Sequence, residues 1–140
     1  MKRIRLLVLA GVIAAALPFG ISSAGATGSG NSVSINEKAQ YSTAGTFIFL
    51  GLTVRCQPAG ANASGFVDVA VHQDYPETPN PGGANGVGSN TVVCDGRSRA
   101  VAVTVPLGVF DAGRAFATAT VTAPTLDEAT ASRWITIVHV

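Results

Sequence analysis

Charge is scarce in this 140-residue chain, and the little there is lies dispersed. Nine Lys and Arg residues stand against eight Asp and Glu, with no basic stripe, so the electrostatic footprint of a nucleic-acid binder is missing. Histidine is scarcer still: His72 and His139 are the only two. No G-x-S-x-G elbow, no H-E-x-x-H pair and no phosphate-cradling glycine loop ahead of a helix occurs. These absences remove the common nucleophilic, zinc-hydrolase and nucleotide-binding chemistries. Helical periodicity is nearly absent too.

The N-terminus carries the longest apolar run. Lys2, Arg3 and Arg5 precede Leu6–Gly20, and Ala24 and Ala26 follow as small residues before Thr27. Basic, apolar, then small is the order of a secretory signal peptide, so residues 1–26 are expected to be removed and the mature chain to begin near Thr27. The run is shorter than the roughly 20 residues a spanning helix needs, and Pro18 interrupts it. An exported protein with no membrane span after cleavage follows. Three of the nine basic residues leave with the leader, so six face eight acidic ones and the formal charge becomes −2. The rest, 27–140, suffices for one domain.

Export bears on Cys56 and Cys94, the only two cysteines. An even count in an oxidising compartment favours a disulfide, and two thiols this far apart suit neither a redox motif nor a zinc site.

Alternation fills the mature chain. Val33 and Ile35 alternate with polar residues in 32–36. In 46–57, Ile48, Leu50, Leu52, Val54 and Cys56 share one face and Phe47, Phe49, Gly51, Thr53 and Arg55 the other. Val67, Val69 and Val71 align in 64–73; Val101, Val103 and Val105 in 99–106; Ala115, Ala117, Ala119 and Val121 in 114–123. Segment 89–94 is short, and 133–140, with Trp134, has two mixed faces. Each period-two run predicts a strand with one buried face. The fifteen residues 74–88, rich in Pro and Gly, predict a long surface loop. Thr125 and Glu128 have capping-box spacing, leaving room for one helical turn at most in 124–132.

Seven strands without a helix of consequence predict an all-β, antiparallel, immunoglobulin-like sandwich, with a small barrel as the alternative. Because successive antiparallel strands reverse direction, Cys56 and Cys94 fall at the same end, as a bond requires.

The leader, the size and the segments "LTVRCQP" and "VVCDGRSRAVAVTV" resemble small uncharacterised exported immunoglobulin-like β-sandwich proteins of high-GC Gram-positive bacteria. The resemblance covers most of the mature chain. It implies a fold and an address, not an activity.

Few residues invite chemistry. His72 shares a strand face with Asp68, but four residues along a strand is about 13 Å, beyond hydrogen-bond reach. Asp74 and Glu77, at the entrance of the 74–88 loop, could hold a calcium ion only with help from backbone carbonyls, and their spacing matches no calcium loop. The aromatic residues say more. If the aliphatic faces are buried, Phe47, Phe49, Phe66 and Phe116 point outward and form a candidate ligand or partner surface, together with Trp134, whose side is undetermined. The competing expectation is that bulges or twisted strand ends bury some of these rings. No catalytic residue, metal or cofactor is expected. The chain reads as a secreted, non-enzymatic structural or interaction domain, its partner an unknown protein; the alternative is a module that binds a cell-wall glycan or small ligand through the exposed aromatics and the 74–88 loop.

Overall fold

A computed structural model describes residues 30–42, 47–60, 63–106 and 110–139. The expected signal peptide, with Ala24, Ala26 and Thr27, lies outside them. Seven strands follow one another: β1 (Ser32–Tyr41), β2 (Phe47–Arg55), β3 (Ser64–Gln73), β4 (Ala84–Val93), β5 (Ser98–Pro106), β6 (Gly113–Thr122) and β7 (Glu128–His139). They form one sheet in the order β4-β3-β6-β7-β1-β2-β5.

The expected all-antiparallel arrangement needs correction. Lys38–Tyr41 of β1 pair with Thr136–His139 of β7 in parallel, so the sheet is mixed. The cause is arithmetic: strands that alternate in direction give the first and seventh the same sense, so they are parallel when they meet. The same alternation sends β2 and β4 the same way, and Cys56 and Cys94, one just past each strand, meet in a disulfide with Cα atoms 4.5 Å apart.

Alternation sets the core as the sequence suggests. Ile48, Leu50, Leu52, Val54 and Cys56 are all buried, as are Val67, Val69 and Val71, Val103 and Val105, and Ala115, Ala117, Ala119 and Val121. Their cross-strand rows hold the register, since a slip of one residue would turn each face to water.

The sheet curls until its two terminal strands, β4 and β5, face each other, nearly closing a barrel. No ladder joins them among the described residues. Instead Asn90 Nδ2 donates to Ala102 O at 2.9 Å, and two glycines let the strands approach. A Cβ on Gly86 would come within 2.6 Å of Val105 Cγ1 and 3.0 Å of Phe110 Cε2, and one on Gly88 would strike Thr104 O. Residues 84–88, expected in a loop, are therefore strand: their glycines are missing side chains where another strand packs. The loop shrinks to 74–83. The segment 124–132, with room for one helical turn at most, forms none: Leu126 takes a positive φ of 69° and Glu128 already opens β7.

Candidate interaction surface

Strands β4, β3, β6 and β7 present an outer face built from cross-strand rows. Pairing aligns Asn85, His72, Phe116 and Trp134 in one row, then Val87, Ala70, Thr118 and Ser132, then Ser89, Asp68, Thr120 and Thr130, and finally Thr91, Phe66, Thr122 and Glu128. All five candidate rings are exposed: Phe47 40%, Phe49 41%, Phe66 57%, Phe116 37% and Trp134 48%. The expectation that bulges bury some of them is overturned. The register irregularity of β1 falls between Ile35 and Ala39, and Phe49, one pair beyond it opposite Gln40, still faces outward.

The rings do not form one patch. Phe47 and Phe49 lie on β2, in the other part of the sheet, beside Pro106 and Thr104 of β5. Phe66 is six residues from His72 along β3, about 20 Å. Only Phe116 and Trp134 meet, edge to face, with centroids 5.2 Å apart and planes at 64°. The Arg114 guanidinium carbon sits 4.0 Å from the Trp134 ring centroid, in cation–π range. A paired aromatic with a stacked guanidinium is a rigid, amphipathic anchor whose apolar area remains in water.

Beside the ring pair the face turns small and hydroxylic. Thr118 Oγ1 and Ser132 Oγ lie 2.9 Å apart, and Thr120 and Thr130 Oγ1 3.0 Å apart. Asp68, Ala70, Gly88 and Ser89 join Thr118 and Thr120 around a shallow hollow of about 450 Å³.

His72 of β3 stands next to Asn85, which ends the row on β4. Its Nδ1 contacts Asn85 Oδ1 at 2.7 Å and its Nε2 contacts Asp74 Oδ1 at 2.6 Å, so Asp74 and Asn85 are its partners, not Asp68. Two oxygen acceptors can both be satisfied only by the imidazolium, which donates from each nitrogen. The Asn85 contact first, then that from Asp74, accordingly raises the His72 pKa above 6.5. Asp74 is thus engaged, and Glu77 lies against Gly113, where a Cβ would strike its carboxylate. The two do not converge on a cation site, and the described residues hold no group of three or more His, Cys, Asp and Glu able to bind a metal ion.

Three residues that shape this face and its neighbouring strands escape sequence reasoning. Arg114 shares a strand face with Phe116 two positions on; that spacing is visible, but only the β6–β7 pairing brings it to Trp134. Gln73 is fully buried. Its Oε1 accepts from Asp111 N at 2.9 Å and its Nε2 donates to Asp111 O at 2.9 Å, anchoring the turn that delivers Arg114. Arg133 occupies an inner position of β7, between Ala131 and Ile135, and donates through Nη1 to Ile35 O at 3.0 Å.

At the opposite end the disulfide is a staple. A Cβ on Gly65 would lie 3.0 Å from Cys94 Sγ and 3.3 Å from Cys56 Sγ. Gly96 N donates to Cys56 O at 2.9 Å and Cys94 N to Ala63 O at 3.0 Å. The Cys-Asp-Gly turn is fixed by Asp95, which pairs with Arg99 and accepts from Arg97 N at 3.0 Å. The Arg99 hydrogen bond, then that of the Arg97 N–H, lowers the Asp95 pKa to about 2.

Compared with known protein families and curated proteins, the chain matches none.

Proposed function

We propose that this chain is an exported, non-enzymatic interaction domain of immunoglobulin-like type that binds its partner through the outer face of β4-β3-β6-β7. The observation that carries the reading is the Phe116–Trp134 pair with Arg114 stacked on it. Tryptophan, tyrosine and arginine dominate the energetic centres of protein interfaces, and rings held rigid by neighbours lose little entropy on binding. His72, the one histidine near this face, has both nitrogens engaged, by Asn85 and Asp74. A disulfide suits an oxidising, extracytoplasmic address, and no helix among the described residues is long and apolar enough to cross a membrane.

The connectivity supports the immunoglobulin-like reading. Strands β1-β2-β5 make one part of the sheet and β4-β3-β6-β7 the other, and among the described residues a ladder joins them where β1 meets β7. Antibody constant domains place the fourth strand beside the fifth; here β4 pairs with β3 instead. Their buried tryptophan packed on a disulfide has no counterpart either, since Trp134 is exposed.

A second reading, a glycan as partner, is favoured by the hydroxyl rows and Asp68 beside the rings. Sugar rings stack on aromatics while their hydroxyls bond to such side chains. The test is titration of cell-wall polysaccharides and of extracellular protein fractions against Trp134 fluorescence. A saturable shift supports the face as a binding site and tells the two partner classes apart. Turnover of any substrate from a hydrolase panel, abolished by a single side-chain change, overturns the non-enzymatic reading.

A further inference from the structure

β7 pairs with β6 over Glu128–Ile137, but on its other side the ladder with β1 covers only Thr136–His139. The reason is the irregularity in β1 between Ile35 and Ala39: the first half of β1 ladders with β2 alone. Glu128–Ile135 is thus a sheet edge without a ladder partner among the described residues, eight residues or about 26 Å long. Every second backbone N–H and C=O along such an edge points away from the neighbouring strand, a ready template for another chain.

Arg133 stands in the middle of this edge on the inner face. Its row, Val71 and Ala117, is core, yet no carboxylate pairs with it among the described residues. Nη1 donates to Ile35 O, while Nε is buried with no acceptor. A guanidinium has five N–H donors, and here one is used. A half-buried cation with unspent donors beside an unpaired strand edge asks for one kind of guest.

We propose that the Glu128–Ile135 edge of β7 accepts an extended peptide as an added strand, and that Arg133 selects a peptide with an acidic side chain on its inner face. This rests on the interaction-domain reading and specifies its partner as an acidic, extended segment of another protein. The outer-face side chains of the added strand come to lie beside Trp134 and Ser132, next to the ring pair. A second copy of this chain does not fit the requirement. Antiparallel β7–β7 pairing offers Arg133 only Ala129, Ala131, Arg133 and Ile135 on the inner face, since Glu128 lies on the outer one.

The test uses an end-blocked seven-residue peptide of alternating threonine and valine with a central glutamate, and its glutamine counterpart. Backbone amide exchange is followed by NMR in the full mature protein. The expected result is new protection at alternate amides of residues 128–135, with the glutamate peptide binding on the order of tenfold tighter than the glutamine one. Arg133→Gln should erase that preference, and Arg133→Lys should restore part of it. Protection confined to β4 or β5, outward amides of β7 already protected in the free protein, no binding of either peptide, or equal affinity for both would overturn the proposal. Should glycans or proteins still shift Trp134 while neither peptide protects β7, the outer face remains a binding surface and strand addition alone fails.

Discussion

Gly88 of β4 lies directly against the carbonyl oxygen of Thr104 in β5, leaving no space for a side chain. The contact lets the two terminal strands nearly close the sheet. Gly88→Ala should therefore destabilise the fold by about 1–3 kcal/mol through overpacking, and Gly88→Val by more. Gly82→Ala, at a position with only Asn80 Oδ1 within 4 Å at 3.9 Å, should change little. Urea midpoints of the three variants check this. Equal stability of Gly88→Val and the parent would mean that β4 and β5 do not pack as described.

The bond between Cys56 and Cys94 closes a loop with a sequence separation of 38. In the chain-entropy model such a closure is worth about 4 kcal/mol, before any native strain is subtracted. Cys94→Ser should cost about 2–5 kcal/mol, reduction of the parent should cost a similar amount, and the two together should add nothing further. Thiol titration under denaturing conditions, paired with urea midpoints with and without reductant, reads both. Two free thiols per unreduced chain would remove the staple from the account.

The His72 contacts give stability a pH dependence of definite sign. Its folded pKa is raised above 6.5, by the Asn85 contact first and Asp74 second. The stabilisation is therefore fully present below about pH 6.5 and is lost as the pH rises through the folded pKa. With a side chain 44% exposed, the effect is small and screened by salt. His72→Gln should flatten the decline of the urea midpoint across that window, and NMR titration should place the His72 midpoint above that of a model peptide. A His72 midpoint below 6.5 would contradict the paired geometry.

Where side-chain alternation was unbroken, the strands were legible. β2, β3 and β6 bury the residues their period-two pattern selects, because one wet and one dry face leave only one register. β4 was hidden by Gly86 and Gly88, which read as loop residues until β5 is seen to fill the space they leave. β7 was hidden at its start by Ala129 and Ala131, and its faces were ambiguous because Arg133 interrupts the inner row. That same interruption kept Trp134 unplaced. Parity allowed the phenylalanines to face outward, but a single bulge would have turned them in, so their exposure was not legible. The meeting of Phe116 with Trp134 depends on a pairing between β6 and β7 that periodicity does not encode. β1 looked short because Asn36, Glu37 and Lys38 fall in its irregular stretch.

The central claim is that the ring pair on the outer face is where a partner binds. Trp134 is the only tryptophan, so its fluorescence reports that place alone. The decisive measurement is a titration of whichever partner fraction or polysaccharide shifts that signal, carried out on the parent and on Phe116→Ala, Arg114→Ala and the double variant Phe47→Ser with Phe49→Ser. The account predicts that Phe116→Ala and Arg114→Ala each weaken binding by on the order of tenfold, while the Phe47 and Phe49 changes leave the midpoint where it was. Unchanged affinity in both Phe116→Ala and Arg114→Ala, or binding lost only with Phe47 and Phe49, would contradict it.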